Sequence, residues 1–159
     1  MEVQNNCRLC PRNCNVNRDN GVGVCGVTNT VKIARAALHF WEEPCISGEE
    51  GSGAVFFSGC PLHCVFCQNE KISNGEVGRE ISVEDLAETF INLMKQGANN
   101  INLVTGTHYI PAIVRAAQIA RDRGLNIPII YNTSGYETVE TLRLLGGIVD
   151  VYLPDFKYM

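Results

Sequence analysis

From residue 54 onward the chain alternates short apolar runs with amphipathic stretches, and few architectures accept that pattern. "AVFFS", "NINLVT", "IPIIYN" and "IVDVYLP" are brief, apolar and nearly unalternated, as expected of strands covered on both faces. Between them lie "SVEDLAETFINLMKQG", "PAIVRAAQIARDRG" and "TVETLRLLGG", each read as a helix. In the first, Val83, Leu86, Ala87, Phe90, Ile91 and Met94 follow the spacing of one helical face. Ser82 and Asp85 are placed as a capping pair, and Gly97 as a stop. Pro111 suits the first position of the second helix and Gly124 its exit. Repeated strand–helix units with right-handed crossovers predict a parallel sheet or barrel.

Polar, reactive groups follow each apolar run. The first leads into a cysteine loop, the second into Thr105-Gly106-Thr107-His108, the third into Asn132-Thr133-Ser134-Gly135 and the fourth into Asp155-Phe156-Lys157. Barrel and open α/β enzymes build their sites at this end of the strands. His108 reads either as a substrate-side group or as a solvent-exposed histidine at a helix entry.

The cysteine loop is "SGCPLHCVFCQNE", with Cys60, Cys64 and Cys67 spaced C-x3-C-x2-C. A closed zinc site takes four protein ligands and disulfides take an even count. Three thiolates suit a metal centre with one position left open. A [4Fe–4S] cube is normally held by four thiolates, so three leave one iron for a small molecule binding through nitrogen and oxygen. Gly59 permits a sharp turn after the strand, Pro61 limits loop flexibility, and Phe66 offers an aromatic face beside the cluster. The rival reading is a zinc site completed by His63 or a distant residue.

Residues 1–30 are rich in Asn, Gly and Cys and hold few large apolar groups, so a metal would have to organise them. Cys7, Cys10, Cys14 and Cys25 form C-x2-C-x3-C-x10-C, a saturated second metal site for zinc, a single iron or an iron–sulfur cluster. Its role is open between a structural staple and an electron relay. Residues 31–53 read as a connecting segment, with a strand in "VKIARAALHFWEEP", a turn at Pro44 and a loop in "SGEEGSG". Cys45 reads as a small buried hydrophobe, and His39 and Trp41 as packing or surface residues.

At 159 residues, 45% hydrophobic and 19% charged, the chain suits one domain with a small appendage. A net charge of −4 without a basic stripe argues against nucleic acid. No apolar run is long enough to span a bilayer. No signal peptide is visible at the N-terminus, so the expected compartment is the cytoplasm. There, clustered cysteines bind metal more readily than they pair.

The three-cysteine loop, with an aromatic before its last cysteine and at the end of the first strand of a βα series, resembles the radical S-adenosylmethionine (SAM) superfamily. "GSGAVFFSGCPLHCVFCQNEKIS", "INLVTGTHY", "YNTSGYE" and "VDVYLPDFKY" resemble, within it, iron–sulfur proteins related to pyruvate formate-lyase activating enzymes. That resemblance implies an α/β fold, a partial (β/α) barrel whose N-terminal part is residues 54–159, truncated after about three and a half βα units. It implies a [4Fe–4S] cluster on Cys60, Cys64 and Cys67 whose open iron chelates SAM. It implies reductive cleavage of SAM to a 5′-deoxyadenosyl radical that abstracts hydrogen from a substrate. It assigns Phe66, Gln68, Thr105, Asn132, Ser134, Asp155 and Lys157 to cofactor binding, with Asp155 near a monovalent cation. Thr105-Gly106-Thr107-His108 departs from the acidic segment of the superfamily that binds the SAM amino group. Reduced flavodoxin or ferredoxin is the implied electron donor, and a glycine in a partner protein is one candidate substrate. The alternatives are a non-catalytic iron–sulfur or zinc scaffold and a redox relay. The expected whole protein is nearly twice this length.

Overall fold

The computed structural model describes residues 6–157. The first five residues of the Cys-rich segment and the last two of the chain, 158–159, lie outside them. In chain order the elements are β1 (Val31–His39), α1 (Pro44–Ser47), β2 (Ser52–Phe57), α2 (Glu70–Ser73), β3 (Arg79–Ile81), α3 (Val83–Lys95), β4 (Ile101–Val104), a 3₁₀ turn (Thr107–Tyr109), α4 (Ile110–Asp122), β5 (Ile129–Thr133), α5 (Val139–Arg143) and β6 (Val151–Pro154). No helix among the described residues is long and apolar enough to cross a membrane.

The strands form one sheet in the order β3-β1-β2-β4-β5-β6. β2, β4, β5 and β6 run parallel, as the apolar alternation predicts. β1 is antiparallel to both β2 and β3. The sheet is therefore mixed and open, not a closed barrel. Residues 31–53 do more than connect: β1 extends the sheet, and β2 begins at Ser52, inside the stretch expected to be a loop. Pro44 opens a short helix instead of a turn, its fixed φ suiting a first helical position. The helix expected over "TVETLRLLGG" shrinks to the five residues of α5.

The cap on α3 forms as a reciprocal box, the Ser82 hydroxyl accepting from the Asp85 N–H while the Asp85 carboxylate accepts from the Ser82 N–H. The helix buries Leu86, Ala87, Phe90, Ile91 and Leu93, and α4 buries Ile113, Ala116, Ala117 and Ala120. Both helices lie on one face of the sheet, where Val55, Phe57, Ile101, Leu103, Ile129 and Tyr131 complete the main core. Side chains alternate across a strand, so Ala54, Phe56, Asn102, Val104, Ile130 and Asn132 point to the other face. They stand in register with one another across β2, β4 and β5.

The N-terminal segment packs onto this frame, and Cys25 and Val27 join the main core. Arg18 is 1% exposed. Its guanidinium donates to the carbonyls of Val27, Thr28 and His108 and lies 5.6 Å from the centre of the Tyr109 ring. The Thr138 N–H reaches the Leu9 carbonyl at 3.3 Å, fixing the other side of the segment to the start of α5.

Phe90 has no exposed surface at the contact between α3 and the sheet. Phe90→Ala is expected to lower unfolding free energy by about 3–5 kcal/mol, since truncation leaves a cavity as well as losing apolar contact. Urea titration checks this; a loss under about 1 kcal/mol would mean that α3 repacks freely.

Candidate active site

Phe57 ends β2, and the chain turns at once into the three-cysteine loop. Gly59 adopts φ +88°, and a Cβ there would lie 2.6 Å from the Cys25 carbonyl oxygen and 2.8 Å from a Val27 methyl. Only glycine lets the loop pass so close to the N-terminal segment. The Gly59 N–H donates to Ile72 at 2.8 Å, the Cys60 N–H to Cys25 at 3.3 Å and the Cys67 N–H to Cys64 at 3.0 Å, in each case to the carbonyl oxygen. Arg12 Nε donates to the Pro61 carbonyl at 2.9 Å. His63 sits at φ +50°, with Nε2 2.7 Å from the Val24 carbonyl oxygen and Nδ1 3.3 Å from Asn74 Oδ1. It thus braces the loop against its neighbours.

A cavity of roughly 450 Å³ opens beside this loop. Cys60, Cys64 and Cys67 line it, and so do Phe66, Gln68, Thr105, Asn132, Ser134, Asp155 and Lys157, every residue that the sequence assigned to the cluster or SAM. The parallel strands explain the convergence, because β2, β4, β5 and β6 all end at the same edge. Phe56 and Val104 supply apolar wall from the sheet face opposite the helices.

The lining residues differ in their freedom. Thr105 holds φ +56°, unusual for a β-branched residue, and its N–H bonds the Asn132 carbonyl at 3.0 Å. The hydroxyl of Ser134 is buried without a partner. Asp155 and Lys157 form an ion pair with each other at the exposed end of β6. Phe66 is 69% exposed.

Other expectations fare differently. His108 is 4% exposed and is neither substrate-side nor at the surface. Its Nε2 lies 2.8 Å from the Ser58 carbonyl oxygen and its ring centre 4.3 Å from that of Tyr109. The 3₁₀ turn before α4 rotates it inward. Cys45, on the short α1, is exposed, and Ser47 is the residue that α1 buries. Trp41 is 89% exposed, while His39 meets Phe56 edge-on at 6.2 Å.

All eight cysteines are free thiols. In the N-terminal group, the Val24 N–H lies 3.4 Å from Cys14 Sγ. A Cβ on Gly23 would sit 3.3 Å from Cys14 Sγ and 3.8 Å from Cys25 Sγ, so these two sulfurs flank one point of backbone. Burial pushes the Cys10 thiol up. It does the same to Cys25, against the opposing charge of Arg18. Among the described residues, no three His, Cys, Asp or Glu side chains converge on a point suited to a single metal ion. The ligands of an iron–sulfur cube bind separate irons and need no such convergence.

Two acidic residues escaped the sequence reading. Glu42 lines the cavity. Glu137 receives the hydroxyls of Thr107, Tyr131 and Thr133 on its Oε1 at 2.6, 2.8 and 2.6 Å, locking the turn after β5. Glu137 closes the stretch "YNTSGYE" but carries no role in that resemblance, and only the fold brings each acidic residue to its partners.

The family model of the radical SAM superfamily matches residues 54–157. The chain belongs to the radical SAM superfamily. It is also 34% identical over 162 aligned residues to the uncharacterized protein MJ0674 of Methanocaldococcus jannaschii, an alignment covering 96% of this chain and 46% of that protein. The chain thus spans about half the length of the curated relative it matches. No solved structure matches it. Membership of the radical SAM superfamily implies a [4Fe–4S] cluster and SAM. The donor set fits them: three free thiols on one short loop, beside a cavity containing an unpaired buried hydroxyl.

Burial, helped by the Arg18 charge, lowers the His108 pKa from 6.5 to about 3. The unfolded chain therefore binds more protons than the folded one between those values. The contribution of His108 is complete above pH 6.5 and is lost as pH falls toward 3. Urea unfolding at stepped pH is expected to show stability declining through pH 6.5 to 5 in the wild type, less so in His108→Gln. Parallel declines would contradict this account.

Proposed function

We propose that this chain carries the cluster-binding and SAM-binding half of a radical SAM enzyme of the pyruvate formate-lyase activating enzyme type. The observation supporting this most directly is the common cavity of the three cysteines and the seven residues assigned to SAM. Cys60, Cys64 and Cys67 would hold the [4Fe–4S] cluster. When bound, cluster and SAM together supply one-electron cleavage of a sulfonium C–S bond and hydrogen-atom abstraction.

The chain's own residues have narrower tasks. Phe56 and Val104 exclude water from the cavity wall. The free Ser134 hydroxyl, Asn132 and the strained Thr105 offer hydrogen bonds to the polar parts of SAM. Lys157 would meet the methioninyl carboxylate, with Asp155 holding its ammonium group. The proposed electron donor is a reduced flavodoxin or ferredoxin. A glycine of a partner protein is the proposed substrate, by analogy with activating enzymes.

Cys7, Cys10, Cys14 and Cys25 form a second metal site in this reading. The bond from the Cys60 N–H to the Cys25 carbonyl favours a role close to the first cluster. A scaffold that binds metal without catalysis is the competing reading, and metal analysis distinguishes it.

The test is anaerobic reconstitution with iron and sulfide, reduction with dithionite, and chromatographic assay of 5′-deoxyadenosine formed from SAM. Wild-type protein is expected to form 5′-deoxyadenosine, and Cys64→Ala to lose the activity. Zinc alone at the three-cysteine loop, or undiminished activity in Cys64→Ala, would overturn the proposal.

A further inference from the structure

The cavity has a second end. The cysteine loop follows β2, whereas Glu42 follows β1, which runs antiparallel and pairs His39 with Ser52 at the start of β2. Glu42 therefore enters from the edge of the sheet opposite the cysteines. Six residues of β2 separate the two edges, roughly 20 Å at about 3.3 Å per residue.

Glu42 stands on a fixed support. Its N–H donates to the Ser47 hydroxyl at 3.0 Å, and Ser47 is 2% exposed. Asn99 Nδ2 donates to the Ser47 carbonyl at 2.6 Å, and Asn100 Nδ2 to the Ile46 carbonyl at 2.8 Å. The end of β1 and the whole of α1 are thus tied to the connection that leads into β4.

Behind Glu42 lies an anomaly. Asn102 is 0% exposed, and neither its Oδ1 nor its Nδ2 has a hydrogen-bond partner. Buried amides are nearly always satisfied, because leaving one unpaired costs about 1–3 kcal/mol. Asn102 is two residues from Val104 and so shares the cavity face. The side chain that approaches it is that of Glu42, whose ionised form its amide favours.

Charge completes the picture. The cavity is lined by three charged side chains, Glu42, Asp155 and Lys157. Asp155 and Lys157 neutralise each other. Glu42 forms no ion pair with any described residue. Burial pushes its carboxyl up, with His39 opposing, so an incoming cation would relieve the cost of its charge.

We propose that Glu42, beside the buried amide of Asn102, anchors a cationic nitrogen group of the substrate at the end of the cavity opposite the cysteine loop. This rests on reading the cavity as a radical SAM active site. The substrate class is then a molecule or peptide segment bearing an ammonium or guanidinium group. With that group on Glu42, the rest of the substrate extends toward the cysteines. A carboxylate on a backbone fixed through Ser47, Asn99 and Asn100 takes a cation at a defined place, which suits a reaction that must present one hydrogen atom.

The test uses the reconstituted protein and n-butylammonium as probe, with n-butanol as the uncharged control, read by saturation-transfer NMR. Wild-type protein is expected to bind n-butylammonium about fivefold more tightly than n-butanol, as for a partly exposed ion pair. Glu42→Gln should abolish the preference and Asn102→Ala reduce it. Glu43→Gln, at the exposed neighbour, should leave it intact. Glu42→Gln should not alter the change that SAM causes in the electron paramagnetic resonance spectrum of the reduced cluster. Retained preference in Glu42→Gln would overturn the proposal, and so would loss of the SAM response in that variant, which would make Glu42 a SAM contact. A wild-type cluster indifferent to SAM would instead refute the radical SAM reading, while the butylammonium preference, measured without SAM, would still report on Glu42.

Discussion

A buried guanidinium with no carboxylate partner among the described residues holds the two cysteine groups in one frame. Desolvating a charge costs several kcal/mol unless other groups take the place of water. For Arg18 those groups are three backbone carbonyls and the face of Tyr109. Val27 and Thr28 belong to the N-terminal segment, whereas His108 and Tyr109 belong to the turn before α4. The residue thus joins a segment with few apolar groups to the edge of the sheet where the cavity opens. A carboxylate would have bound one point of the fold more strongly; carbonyls from two segments bind both. Burial, with the same charge assisting, keeps His108 neutral, and its Nε2 lies against the Ser58 carbonyl beside the cysteine loop.

The two faces of the sheet divide structure from chemistry. On the helix side, β2, β4 and β5 present Val55, Phe57, Ile101, Leu103, Ile129 and Tyr131 to a continuous apolar core. On the other side the same strands present Phe56, Asn102, Val104 and Asn132, a mixture of apolar and amide groups. Packing on the first face supplies the rigidity with which the second can hold strained or unpaired groups. Thr105 at φ +56° and the unsatisfied Asn102 both lie on or next to that second face. Such departures persist only where the surrounding structure over-determines them.

Local signals in the sequence carried much of this. The four parallel strands, α3 with its capping box, α4, and the loop bearing Cys60, Cys64 and Cys67 were legible because periodicity, caps and cysteine spacing are properties of short stretches. The antiparallel β1 was read as a strand, but its place beside β2 was not, since pairing across a twelve-residue connection containing a helix leaves no short-range mark. β3, three residues long, offers too little pattern to read. His108 was misjudged because a helix entry is usually solvated, and nothing near it in sequence announces Arg18, ninety residues away. Glu42 and Asn102 were invisible for the same reason. Each is ordinary in its own segment and acquires meaning only when the sheet brings the segments together.

The contact between the cysteine groups has a consequence for how each can be occupied. Gly59 has no room for a side chain because Cys25 and Val27 press against it, and the Cys60 N–H points at the Cys25 carbonyl. Any group that orders Cys7, Cys10, Cys14 and Cys25 therefore also fixes the backbone of the first cysteine of the loop. The reverse holds equally, because coupling between two binding equilibria is reciprocal. A metal in the N-terminal group would pre-set the turn that presents Cys60. A cluster on the loop would in turn hold Cys25 where its sulfur and that of Cys14 flank Gly23. A staple in the N-terminal group would thus reach the loop directly, since the backbone it orders is the same backbone that presents Cys60.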